Sequence, residues 1–171
     1  LDTLYLRLFP NTPGYGGTMT VTNLTLNGQL IEPVRELEGS ALRIPLEPAL
    51  APDAQVDLAL DFSLALPTDQ LPGDSRGDGT GYRQLGYFED TIALANAYPI
   101  VPVYDDEGWN VELAPTYGDA VFSDVAFFNV TIVAPRTMTL AASGTCTSSP
   151  VNAGQASWSC VAAPMRDFNA V

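Results

Sequence analysis

An all-β sandwich with at most a few short helical turns is the fold this sequence predicts, and three observations carry the prediction. Apolar residues recur with a period of two along most of the chain, which places them on one face of a strand. Fourteen prolines and 14 glycines interrupt the pattern too often for long helices. The 171 residues are 46% hydrophobic and 16% charged, enough apolar material to bury a core. With no internal repeat and no break in composition, residues 1–171 read as a single β-sandwich domain.

The elements follow in order. Leu4, Leu6 and Leu8 alternate with Tyr5, Arg7 and Phe9 and predict a first strand. Met19 and Val21 share one phase and Leu24 and Leu26 the other, so a bulge or bend is expected near Asn23. Asn27-Gly28 comes next, a strong signal for a two-residue hairpin. Leu42, Ile44 and Leu46 predict a short strand that Pro45 marks as an edge or irregular one. Val56, Leu58, Leu60, Phe62, Leu64 and Leu66 give the clearest alternation. Residues 71–80 (LPGDSRGDGT) read as a flexible loop. Residues 89–98 carry acids and then alanines before Tyr98-Pro99, which predicts one or two helical turns. Phe128, Val130 and Ile132 alternate again, and residues 137–143, 156–162 and 167–171 read as closing strands.

Composition excludes whole classes of function. The net charge is −13, from 20 acidic and 7 basic residues, and every basic residue is Arg. Such a surface repels phosphate backbones and anionic lipid, so nucleic acid is no partner. No run of about 18 apolar residues is present to insert into a membrane. The chain has no His and no Lys. That removes Ser-His-Asp and Cys-His catalysis, the H-E-x-x-H zinc helix, Schiff-base lysines and the Walker lysine. A carboxylate pair is the remaining hydrolytic option, and nothing in the pattern favours it. Leu1 already lies in an alternating apolar stretch, so the chain reads as a piece of a longer protein.

Four stretches together carry a family resemblance. They are AYPIVPVYDDEGWN (97–110), YGDAVFSDVAFFNVTIVAP (117–135), TMTLAASGT (137–145) and APMRDFNAV (163–171). In this order they resemble the N-terminal domain of the zinc aminopeptidase family that includes membrane alanyl aminopeptidase. The opening LYLRLFPN (4–11) is similar to an early strand of bacterial members. The resemblance implies a saddle-like β-sandwich of two sheets, mixed or antiparallel, packed on a catalytic domain of the same polypeptide. It implies no catalytic residue and no cofactor in this chain. The zinc and the catalytic His and Glu would belong to the absent domain, and the peptide substrate would be met through it. The family's segment near this place carries a polar residue that approaches the cleft, which makes Glu89 the substrate-cleft candidate. Its plain alternative is an acid at the start of a short helical turn. The 71–80 loop and the cysteine pair depart from the family pattern.

Other candidates have simpler readings. Cys146 and Cys160 flank a turn-rich segment of a long hairpin, which favours a disulfide and an extracellular or envelope location. Two buried thiols are the alternative. Arg76-Gly77-Asp78 spells an adhesion tripeptide, and three-residue matches arise by chance. Asp74, Asp78 and Gly79 miss the calcium-loop pattern because Arg76 takes a ligand position. Asp105-Asp106-Glu107-Gly108 reads as an acidic turn. Asn23-Leu24-Thr25 and Asn129-Val130-Thr131 match the glycosylation sequon but lie in predicted strands of a Lys-free chain that looks bacterial. Trp109 and Trp158 read as core or interface aromatics in preference to a sugar platform. The alternative function is a free-standing extracellular β-sandwich binding module, carbohydrate-binding or adhesive.

Overall fold

The computed structural model describes residues 1–68, 85–88, 90–113 and 121–171. It is all-β and built from antiparallel sheets. Among the described residues, helix is confined to two three-residue 3-10 turns, Phe9–Asn11 and Leu37–Gly39.

The first 65 residues form two three-stranded sheets around one core. β1 (Thr3–Arg7) pairs with β5 (Ala41–Pro45), and β5 with β4 (Val34–Glu36). β2 (Thr18–Leu26) pairs with β3 (Gln29–Leu30) on one side and β6 (Leu58–Ala65) on the other. The period-two leucines explain the packing. Leu6, Leu8, Leu42, Ile44 and Leu46 bury against Met19 and Leu24, with Leu58, Leu60 and Leu64 closing over them.

Local chemistry sets the register of β2. Its pairing with β6 shifts between Thr22 and Thr25, with Asn23 at φ 51°, as the change of apolar phase there predicts. The Asn23 side-chain amide donates to Asp61 Oδ2 at 2.7 Å. Asn27 and Gly28 both have positive φ, 50° and 79°, and form the two-residue loop between Leu26 and Gln29. Positive φ at both central residues is what the type I′ turn requires, and its twist matches that of the flanking strands.

The C-terminal half centres on a third sheet. β11 (Ala126–Pro135) pairs with β13 (Gln155–Met165), and β13 with β12 (Thr145–Pro150). Two hairpins precede it: β7 (Leu85–Phe88) with β8 (Thr91–Leu94), and β9 (Tyr104–Asp105) with β10 (Gly108–Trp109). Cys160, Ala162, Phe168 and Ala170 are buried here under Leu94, Tyr98, Phe128, Val130 and Trp158. Cys146 and Cys160 face each other across β12 and β13 with Cα atoms 4.0 Å apart, and they are disulfide-bonded. The two halves join through β1: Arg7 and Ile100 exchange backbone hydrogen bonds of 2.7 and 3.0 Å.

Three local expectations are corrected. Residues 91–94 form strand β8, where one or two helical turns are predicted. A helix that short gains too few internal bonds to offset its nucleation, whereas β7 supplies a ladder. Pro45 belongs to the central strand of its sheet. It sits at the end of β5, paired to Thr3 alone, because β4 meets β5 only as far as Arg43, so its missing N–H breaks no ladder bond. Residues 137–143 and 167–171 form no continuous strand. They bond to each other instead, Ala141 with Val171 in both directions and Ser143 N to Asn169 O, leaving single bridges at Ala142 and Ala170.

Candidate functional site

Tyr5, Tyr104 and Trp109 converge on one open cleft of about 620 Å³, with Asp2, Thr3 and Gly108 on its walls. Each ring has a reason for its place. Tyr104 and Trp109 are opposite partners of the β9–β10 hairpin. Their rings meet edge to face at 5.1 Å and 68°. The Trp109 indole N–H donates to Thr3 O at 3.1 Å, fastening the hairpin to β1. Tyr5 comes from β1 and tilts toward Trp109 at 6.1 Å and 57°. Its hydroxyl donates to Glu36 at 3.1 Å, and Glu36 is in turn paired with Arg43 at 2.7 Å. Burial, and then the bond to the Glu36 carboxylate, push the Tyr5 pKa up. Tyr104 stays 55% exposed, so part of its ring is open to a ligand.

The acidic turn braces the hairpin. Asp105 accepts from the Asn110 side-chain amide at 2.9 Å and from Glu107 N at 3.0 Å. Asn110 also holds Val103 O through its backbone and side-chain nitrogens. These bonds, the one from Asn110 foremost, hold the Asp105 pKa below its ordinary value. Because the folded value is the lower one, the bonds support the hairpin fully above the ordinary aspartate range. That support disappears as pH falls through the lowered folded value. The Trp109 indole proton resonance is expected to titrate below the ordinary aspartate range, and Asp105→Asn to abolish that titration. A resonance that moves at the ordinary carboxylate pH, or that titrates unchanged in the variant, would contradict the assignment.

Behind this hairpin, Arg7 crosses the junction between the halves. It is buried, donates to Glu112 O at 2.6 Å and lies over the Phe9 ring at 4.9 Å. Burial lowers its pKa.

Glu89 lies outside the described residues, as do Arg76, Gly77 and the aspartates of the 71–80 loop. The neighbours of Glu89 are described: Phe88 ends β7, and Asp90 accepts from the Tyr87 hydroxyl at 2.8 Å. Trp158 is half-buried against the C-terminal core, as its reading as a core aromatic anticipates. Trp109 contributes to an open cleft as well as to packing, which the sequence reading missed. The Tyr104–Trp109 spacing around an acidic two-residue loop was the available signal. Tyr5 had none, because its role depends on contacts about 100 positions away. Asn129 and Thr131 are exposed on β11, and Asn23 is held by Asp61. Among the described residues, no three His, Cys, Asp or Glu side chains gather into a metal-holding group. No described helix is long and apolar enough to cross a membrane.

Comparison with protein-family models, with curated proteins and with solved structures gave no match.

Proposed function

We propose that this chain is a non-catalytic β-domain of a zinc aminopeptidase, supporting the catalytic domain and walling one side of its substrate cleft. The observation that carries the reading is the convergence of the segments that carry the family resemblance. Tyr98, Phe128 and Phe168 come from three of them, up to 70 positions apart, and form one aromatic cluster. Tyr98 meets Phe128 at 6.1 Å, and Phe128 meets Phe168 at the same distance. Phe168 N donates to the Tyr98 hydroxyl at 3.0 Å. The fourth segment joins through Ala142, which bridges Ala170. Four resembling stretches that pack as one unit fit a shared domain.

Two further features fit this reading. Phe122 and Val125, 55% and 61% exposed on a loop pinned by Ser123 and Arg166, and Phe127, 83% exposed at the start of β11, form an apolar surface suited to docking. The disulfide suits an extracellular or envelope compartment. The sequence has no His and its two cysteines are bonded to each other, so this chain offers a zinc neither imidazole nor thiolate, and on this reading the metal belongs to the catalytic domain. Glu89 is proposed to face the cleft, and the peptide substrate would be engaged through the catalytic domain.

The coding frame beyond Val171 provides the test. It is expected to encode H-E-x-x-H with a downstream Glu. The longer product should cleave aminoacyl substrates and lose that activity on chelation, while residues 1–171 alone should show none. A frame that continues without the motif, or turnover by the isolated chain, would overturn the proposal. The aromatic cleft favours a second reading, a binding module whose ligand enters between Tyr5, Tyr104 and Trp109.

A further inference from the structure

We propose that the cleft between β1 and the β9–β10 hairpin is a binding site for a small organic cation with an apolar shell, a quaternary ammonium head group. This inference stands apart from the aminopeptidase reading, because none of its residues belongs to the proposed docking surface or to the Tyr98 cluster.

Three features select a cation over the other ligand an aromatic cleft would suit, a sugar. The first is ring geometry. Tyr5 and Tyr104 stand at 57° and 68° to Trp109, so the rings wall a concavity from different directions. A sugar platform presents a flat ring face or coplanar rings, whereas a cation is attracted by several ring faces at once. The second is charge. Asp2 lines the cleft, and the hairpin that carries Tyr104 and Trp109 displays Asp105, Asp106 and Glu107 in its turn. The whole chain bears −13, which draws cations toward the surface. The third is the lining chemistry. Among the described residues, no Asn, Gln or Arg lines the cleft. A trimethylammonium group needs no hydrogen bonds; it asks only for aromatic faces and a nearby carboxylate.

The site is also preorganised. The indole is tied to Thr3 O, the Tyr5 hydroxyl to Glu36, and the hairpin turn to Asp105 and Asn110. Little ordering is left to oppose binding.

The chain has two tryptophans, so its indole N–H resonances are readily separated, and a Trp109→Phe spectrum assigns the Trp109 signal. Choline titrated at constant ionic strength is expected to shift that signal saturably in the millimolar range. Its neutral isostere 3,3-dimethylbutan-1-ol should bind at least tenfold more weakly. Tyr104→Ala removes a ring that is 55% exposed and should abolish the choline response while the protein stays folded, with both indole resonances retained. Asp2→Asn should weaken binding severalfold. No saturation with choline, an equal response to the neutral isostere, a saturable response to cellobiose but not choline, or an unaltered response in Tyr104→Ala would each overturn the proposal. Failure of the aminopeptidase test would leave these outcomes untouched.

Discussion

Gly144→Ala is expected to destabilise the protein strongly, and Gly28→Ala only mildly. Both glycines have positive φ, 82° and 79°. An L side chain in that region costs roughly 1–2 kcal/mol at either position. Their surroundings differ. A Cβ on Gly28 would meet nothing within 4 Å. One on Gly144 would sit 2.3 Å from Val161 O and 2.6 Å from the Ala162 Cβ. Both obstacles belong to the central strand β13, beside the disulfide, where backbone cannot yield without breaking the ladder. Overpacking of this kind adds about 1–3 kcal/mol. The expected loss at Gly144 is therefore about 2–5 kcal/mol, a large share of a typical domain's stability. For a chain of this size, each kcal/mol lowers the melting temperature by about 2–4 °C. Thermal unfolding of the two variants side by side is the check. Equal losses would mean that Gly144 matters only for its backbone angle.

Opening the disulfide should have a comparable effect. Cys146 and Cys160 are 14 positions apart and close a loop for which the chain-entropy model gives roughly 3 kcal/mol. The bond also holds β12, an edge strand six residues long, against β13. Cys160 is fully buried, so Cys160→Ser would leave a hydroxyl inside an apolar cluster, and paired Cys→Ala replacement is the cleaner probe. Urea unfolding of the oxidised protein and of the double Ala variant should show the midpoint falling, and titration of the unreduced, denatured protein should find no free thiol. Choline binding is expected to survive in the variant, because Tyr5 and Trp109 lie outside the C-terminal core. An unchanged midpoint would mean that strand pairing alone holds this sheet.

Much of the fold was legible because strands announce themselves locally. The alternation in residues 56–66 became β6, and that in residues 128–132 became β11. The change of phase at Asn23 marked a real register shift, since side chains on a strand can change face only through an extra residue. Asn27-Gly28 specified its loop by backbone angle alone. Residues 91–94 misled because acids followed by alanines resemble a helix start, while the partner strand that decides the outcome carries no mark of its own. Pro45 misled for the converse reason. Its place in a central strand is harmless only because the neighbouring strand stops short, and that is a property of the neighbour.

The same division applies to function. Period-two patterning, turn residues and the complete lack of His and Lys are properties of short windows or of plain composition. They suffice to specify an all-β chain and to exclude chemistry that needs a His or a Lys of this chain. The aromatic cleft is of another kind. Tyr5 reaches Trp109 only because Arg7 pairs with Ile100 and the indole bonds to Thr3 O, contacts that span about a hundred positions. Which distant strands meet, and in what register, is decided by how whole faces bury their apolar area together. That energy is shared among many residues, so no single stretch of sequence encodes the site, and it exists only once the sheets have packed.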